Sequence, residues 1–535
     1  MKPDIIVINP DQMRADALHH LGCKAAHTPN MDKLSEEGVS FKNAFCQNPV
    51  CVPSRCSFTT GLYPHTRGHR TMSYLLRPEE NNIFKLLKDN GYYVWSSGRG
   101  DCISGQDKKW QKECFDKVYY KCGSDKGKDD GRGEPGSIRY KSFLRGTVKT
   151  NNVDGISHDN DYQWTVGCTE LIKNANKNKP IFAFLGLMNP HPPYKAEKKY
   201  LDLIDESLIS PPIKPSNSDE PLMQKSLRDA LGLEDWDEKN ILEIRKTYLA
   251  MCARVDEMVG MVIDALKESG RYDNSLIVIM SDHGDFTGDY TIVEKAQNLF
   301  ADCLTNVPFI VKMPKGYKVD NGVNDTLVEL VDFYATVKDV SGSKTDEWDF
   351  GKSLVPAIAD KSVNHRDYVF CEGGRLAGER HCTEEVENYF NVKVDEYEPR
   401  ISIQQREDGS HGKGIMIRNK EYKYVYRLYE KDEFYVLQDG ENKNQIDCPE
   451  HSQIIEQMRN EMLKWLVTTS DVVPVKGDAR FSDDFYLETV NALAHFRVSP
   501  AIKFVMKLTN KDFTSLINGI INKLHIDTNK AYRKN

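Results

Sequence analysis

Residues 276 to 285 read Leu276-Ile277-Val278-Ile279-Met280-Ser281-Asp282-His283-Gly284-Asp285, an apolar run that passes directly into a polar cluster. Three other runs behave the same way. Ile5-Ile6-Val7-Ile8-Asn9 leads to Asp11 and Gln12, Tyr92-Tyr93-Val94-Trp95 leads to Arg99 and Asp101, and Ile181-Phe182-Ala183-Phe184-Leu185 leads to Asn189, His191 and Tyr194. Short apolar runs alternating with amphipathic helical stretches predict an α/β fold, a doubly wound mixed sheet flanked by helices. In such sheets ligands bind just beyond the carboxyl ends of the strands. A single polar cluster there would be an ordinary turn. Four of them on one edge make a site.

A second stretch sets the chemistry. Cys51-Val52-Pro53-Ser54-Arg55 opens a helix-like run that Gly61 and Pro64 end. Proline suits a first helical turn, where its missing N–H is not needed. Cys51 therefore stands beside unpaired N–H groups at the positive end of a helix dipole, where anions bind and a thiol becomes nucleophilic. The pattern Cys-x-Pro-Ser-Arg followed by Thr60-Gly61-Leu62-Tyr63-Pro64 resembles the signature of the type I sulfatases, within the alkaline phosphatase superfamily. The resemblance runs in the family's order from Asp4 to about Asp471. It implies that a maturase oxidises Cys51 to formylglycine. The hydrate of that group would then hydrolyse a sulfate ester, on a sulfated carbohydrate or a small organic sulfate.

Asp11, Gln12, Asp282 and His283 offer mostly oxygen donors and one imidazole, a set suited to a hard divalent cation, Ca2+ or Mg2+. The resemblance implies the same four ligands, with Cys51 as a further metal residue and Ca2+ the usual ion. Gln12 stands where the family's commonest residue is Asp. Relatives with Gln there cleave phosphonate monoesters or choline sulfate, so a phosphonate monoester or phosphodiester hydrolase is the alternative enzyme. His191, held between prolines, matches a histidine that contacts the sulfate and can protonate the leaving oxygen. Lys295 aligns with a sulfate-binding lysine. Gly98-Arg99-Gly100-Asp101 stands where the family carries Gly-Lys-x-His. Arg99 keeps a cation whose planar fork binds tetrahedral oxyanions. Asp101 exchanges an imidazole for a carboxylate that could accept a proton from the hydrate. Arg55 is expected to tie down the nucleophile's turn and to add positive charge. Arg375, His381 and His411 are candidate leaving-group contacts.

A chain of 535 residues is too long for one simple core. The expected division is a catalytic α/β domain over 1–355, a small antiparallel sheet plus helix over 356–474, and a helical extension over 475–535. Strand-like runs at 367–370, 422–428 and 433–437, then helical spacing over 454–466, carry the small subdomain. Apolar spacing over 501–524 would pack on the body or hold a second subunit. The run 326–337 predicts the last large-domain helix. The charged, glycine-rich stretch 123–133 predicts a mobile loop. A net charge of −8 gives no sign of a nucleic-acid surface, and no apolar run is long enough to cross a bilayer. Thirteen scattered cysteines and no apolar leader after Met1 predict a cytoplasmic setting. A non-catalytic sulfated-glycan binding protein is the reading from another class. The intact maturase motif argues against it, because a binding module has no need of one.

Overall fold

The computed structural model describes residues 2–98, 100–216, 219–233, 236–384, 397–474 and 480. The chain divides into two compact units, Met1–Val473 and Pro474–Asn535. The helical extension expected over 475–535 lies outside the described residues, Arg480 excepted.

The described residues of the first unit form fourteen strands: β1 (Asp4–Asp11), β2 (Val39–Phe45), β3 (Tyr93–Gly98), β4 (Lys117–Tyr119), β5 (Leu144–Val148), β6 (Ile181–Pro190), β7 (Tyr194–Glu197), β8 (Ser275–Met280), β9 (Phe309–Lys312), β10 (Gly322–Glu329), β11 (Val369–Gly373), β12 (Gly414–Arg418), β13 (Tyr422–Arg427) and β14 (Glu433–Val436). Eight of them form one sheet in the order β10-β2-β9-β8-β1-β6-β3-β4. Neighbours run parallel except that β9 is antiparallel to both β2 and β8, so the sheet is mixed.

Both faces of this sheet are buried, which is why its strands read as unbroken apolar runs. On β1, Ile6 and Ile8 point into one core and Ile5 and Val7 into the other. Strand β8 divides likewise, with Ile277 and Ile279 on one side and Leu276, Val278 and Met280 on the other. The helices Asn160–Asn174 and Glu238–Glu268 contribute to the first core. Cys51–Thr60 and Val331–Ser341 contribute to the second.

A smaller antiparallel sheet runs β11-β12-β13-β14. The helix Ser452–Thr469 packs on it through Ile455, Met458, Met462 and Trp465, and Trp465 stacks on Phe370 with ring centroids 4.6 Å apart. This sheet has a fourth strand that sequence reading missed. β12 lies between β11 and β13 and is hydrogen-bonded on both sides. The run 326–337 is also not one helix. Its start belongs to β10, where Leu327 pairs with Asn43 of β2, and the helix begins only at Val331. An apolar run of this length fits either period, and pairing with β2 decides it.

The stretch 123–133 is likewise less free than its composition suggests. Lys128 bridges to Lys149, and Asp125 accepts hydrogen bonds from Thr150 Oγ1 at 2.5 Å and Asn152 Nδ2 at 2.9 Å. Among the described residues no helix is long and apolar enough to cross a membrane.

Candidate active site

Strands β1 and β8 are adjacent, parallel and in register, with Ile8 opposite Ile279, so Asp11 and Asp282 emerge side by side at their carboxyl ends. The turn after β1 is held by Met13 N–H donating to Ser281 Oγ at 2.8 Å, and Gln12 takes a left-handed φ of 70°. The turn after β8 needs glycine. A Cβ at Gly284 would lie 2.0 Å from the Cys303 carbonyl oxygen.

Cys51 is the first residue of its helix, after extended Val50, and Gly61 closes that helix in a left-handed cap with its N–H on Ser57 O at 2.9 Å. Every residue of the helix is buried. Ser54 Oγ donates to the Asp282 carbonyl at 2.6 Å, which joins the helix to the β8 turn.

These elements bring Asp11, Cys51, Asp282 and His283 together, with one donor atom from each lying within 4.8 Å of the others. Cys51 Sγ is 3.2 Å from His283 Nε2 and 3.6 Å from Asp11 Oδ1. His283 Nε2 is 3.7 Å from Asp11 Oδ1 and 3.8 Å from Asp282 Oδ2. His283 Nδ1 lies 2.9 Å from the Gly284 carbonyl, which can only accept, so Nδ1 carries the hydrogen and the Nε2 lone pair faces the carboxylates. Burial lowers the His283 pKa to about 4, against the pull of Asp282, so the ring is neutral at neutral pH.

Arg55 bridges the two carboxylates, donating through Nε to Asp282 Oδ2 at 2.8 Å and through Nη2 to Asp11 Oδ2 at 3.1 Å. Burial opposes its charge, but Asp282, Asp11 and Asp101 outweigh burial and raise its pKa. Two carboxylates, one guanidinium and a neutral imidazole leave the cluster short of positive charge. Mostly oxygen donors plus an imidazole of fixed tautomer fit a hard divalent cation.

The expected outer residues gather beside this cluster. Lys295 Nζ donates to Gln12 Oε1 at 2.5 Å and to Glu294 Oε1 at 2.9 Å. The Gln12 oxygen is thus shared with a lysine, and Gln12 Nε2 donates to Asp285 Oδ2 at 2.6 Å. Burial pushes Asp285 up to about 6, although Tyr194, Gln12 and the Thr287 N–H all stabilise its anion. His191 donates through Nδ1 to Pro192 O at 2.6 Å, leaving Nε2 3.8 Å from Glu294 Oε1. Asp101 has a left-handed φ of 42° and lies close enough for its charge to act on Arg55. Arg99 lies outside the described residues.

The three candidate leaving-group contacts, Arg375, His381 and His411, have the following surroundings. Arg375 is buried and bonded to Gln404 O and Asp408, a structural anchor. His411 is fully buried, and His381 is exposed against Tyr74. Sequence reading missed Glu294 and Arg400. Glu294 had only its adjacency to Lys295 as a signal, and Arg400, far along the chain, had none.

A family model described as Sulfatase matches residues 3–343. An arylsulfatase of Clostridium perfringens is 26% identical over 427 residues, covering 74% of this chain and 85% of that protein. Among solved structures, a phosphonate monoester hydrolase of Agrobacterium radiobacter superposes with a TM-score of 0.69 at 20% identity, over 88% of this chain and 96% of that one. A structure solved in complex with its substrate D-glucosamine-2-N,6-O-disulfate gives a TM-score of 0.66 at 17% identity, over 88% and 98%. These structures share the fold. The match of the family model over most of the chain, on top of the Cys51 helix and the Asp11, Asp282 and His283 cluster, shows that the chain belongs to the sulfatase family of the alkaline phosphatase superfamily and is a sulfuric ester hydrolase.

Proposed function

We propose that the chain hydrolyses the sulfate ester of a sulfated carbohydrate or small organic sulfate, with Cys51 acting after its oxidation to formylglycine by a separate maturase. The observation that carries this reading is the buried cluster of Asp11, Cys51, Asp282 and His283 at the start of a helix. Asp11, Asp282, His283 and the Gln12 oxygen would hold a divalent cation, Ca2+ or Mg2+, which supplies electrostatic stabilisation of a tetrahedral anion. Formylglycine, once formed and hydrated, supplies a hydroxyl nucleophile and a second hydroxyl that lets the product leave without attack by water.

This chain's own residues do the rest. Arg55 fixes both carboxylates so that the site does not reorganise during the reaction. Lys295, next to Gln12, offers an ammonium to the ester's anionic oxygens, and Arg99 would add a second cation. His191 keeps its Nδ1 hydrogen on Pro192 O, and Nε2 is the atom that hands a proton to the departing oxygen. Asp101 would accept a proton from the nucleophile. The thirteen cysteines, scattered without paired metal-type spacing, favour a reducing, cytoplasmic setting. A second subunit on the C-terminal extension is a further proposal.

Gln12 and the likeness to a phosphonate monoester hydrolase favour a second reading, a phosphonate monoester hydrolase. The test is kcat/KM on a nitrophenyl sulfate against a nitrophenyl phosphonate monoester, using protein co-expressed with a maturase and supplied with Ca2+. A large preference for the sulfate is expected. A preference for the phosphonate overturns the sulfatase assignment of substrate.

A further inference from the structure

Beside the four-donor cluster lies a second buried group of charges whose central carboxylate has no role implied by the resemblance. Its centre is Glu294, 2% exposed and held at a φ of 67°, a left-handed conformation rare outside glycine. Thr287, Tyr290 and Thr291 in the same loop also have positive φ. Backbone strain of this kind persists only where surrounding contacts over-determine it.

Those contacts are explicit. The Glu294 N–H donates to the Tyr194 hydroxyl at 3.2 Å, and its carbonyl accepts from Phe286 N at 2.9 Å. Its carboxylate accepts from Lys295 Nζ at 2.9 Å, from Lys295 N at 2.7 Å and from Arg400 Nη1, and lies 3.8 Å from His191 Nε2. Arg400, from the helix Glu398–Arg406, also donates to Lys295 O at 2.8 Å and to Glu384 Oε2 at 2.6 Å. Side chains from the 189–194 turn, the 286–295 loop and the 398–406 helix therefore meet on one carboxylate.

We propose that Glu294 is a positioning residue for protonation of the leaving oxygen, holding Lys295 and His191 in place, with Arg400 as its clamp. The inference rests on the sulfatase reading above. As the S–O bond breaks, its electron pair stays on the ester oxygen. The proton on His191 Nε2 moves to that oxygen, and the imidazolium becomes neutral imidazole. A carboxylate at 3.8 Å is beyond hydrogen-bond reach, so it steadies the charged ring without taking the proton. Glu294 touches neither substrate nor nucleophile in this account and acts through its neighbours.

The experiment compares two esters on the matured full chain with Ca2+. Nitrophenyl sulfate has a leaving group that departs as a stable anion, and an alkyl sulfate has one that needs a proton. No turnover of either by wild type sinks the sulfatase reading and this inference with it. With turnover present, Glu294→Gln should lower kcat on the alkyl sulfate by about a hundredfold and on nitrophenyl sulfate by about tenfold or less, following the usual size of general-acid effects. Glu294→Asp should restore part of the difference. Equal loss on both esters, or no loss, overturns the proposal while leaving the sulfatase reading intact. If Glu294→Gln does not fold by circular dichroism, Arg400→Lys makes the same comparison, because it keeps the charge but cannot span Glu294 and Glu384. The same leaving-group bias at smaller size supports the proposal, and an unbiased Arg400→Lys overturns it.

Discussion

Replacing Arg55 by Met tests whether one guanidinium and one cation share two buried carboxylates. Arg55 reaches Asp282 at 2.8 Å and Asp11 at 3.1 Å, and all three side chains are 0% exposed. Unit charges about 4 Å apart attract by roughly 4 kcal/mol at an effective dielectric of about 20. Removing one member of a buried pair costs about 3–5 kcal/mol, because the partner is left charged and dry. Arg55→Met should therefore lose about 3–5 kcal/mol of unfolding free energy in chelator. Excess Ca2+ should return more of that loss than it adds to wild type, because the ion then becomes the main charge facing both carboxylates. Arg55→Lys keeps the charge without the fork and loses one charge-assisted hydrogen bond, about 1.5–3 kcal/mol. Denaturant unfolding in chelator and in excess Ca2+ measures all of these. A Met variant as stable as wild type in chelator, or the same Ca2+ increment in both proteins, refutes the argument.

Two further outcomes concern the frame around the site. Burial, with help from Arg375 and Arg400, lowers the His411 pKa to about 3. In the unfolded chain histidine charges near 6.5, so between these values only the unfolded state takes up the proton, and stability falls as pH drops. The share from His411 is about 2 kcal/mol between pH 7 and pH 5. His411→Leu should flatten the stability curve over that window in urea titrations, and an unchanged slope would count against the buried neutral ring. Gly284→Ala drives a Cβ to 2.0 Å from the Cys303 carbonyl oxygen, a backbone atom that cannot swing away. It should cost about 1–3 kcal/mol and displace His283, which loss of Ca2+ binding by calorimetry would show. Full Ca2+ affinity in the alanine variant would refute that placement.

The parts of this protein legible in its sequence are those whose physics is local. A strand buried on both faces must be apolar along its length, so β1, β3, β6 and β8 declare themselves, and the polar residues after them follow from the same short windows. The Cys51 helix is equally local, with Pro53 in its first turn and Gly61 in a left-handed cap. Where two periods fit one short run, local pattern does not decide: β12 carries no strand signal of its own, and the end of β10 has helical spacing although it pairs as a strand. Both depend on which strand lies alongside, and no window of sequence carries that.

The site divides along the same line. Asp11, Cys51, Asp282 and His283 were readable as donors because each belongs to a compact motif at a strand or helix end. Only the register of β1 against β8 and the seating of the Cys51 helix set their sulfur, imidazole and carboxylates a few ångströms apart. Arg55 as a bridge between two carboxylates, Gln12 divided between Lys295 and Asp285, and Glu294 under Arg400 have no counterpart in local pattern. The sequence alone determined the chemical kinds of group present and the strand ends that bear them. The tertiary structure decided which charge faces which, because buried charges take their partners from packing across the chain and not from neighbours along it.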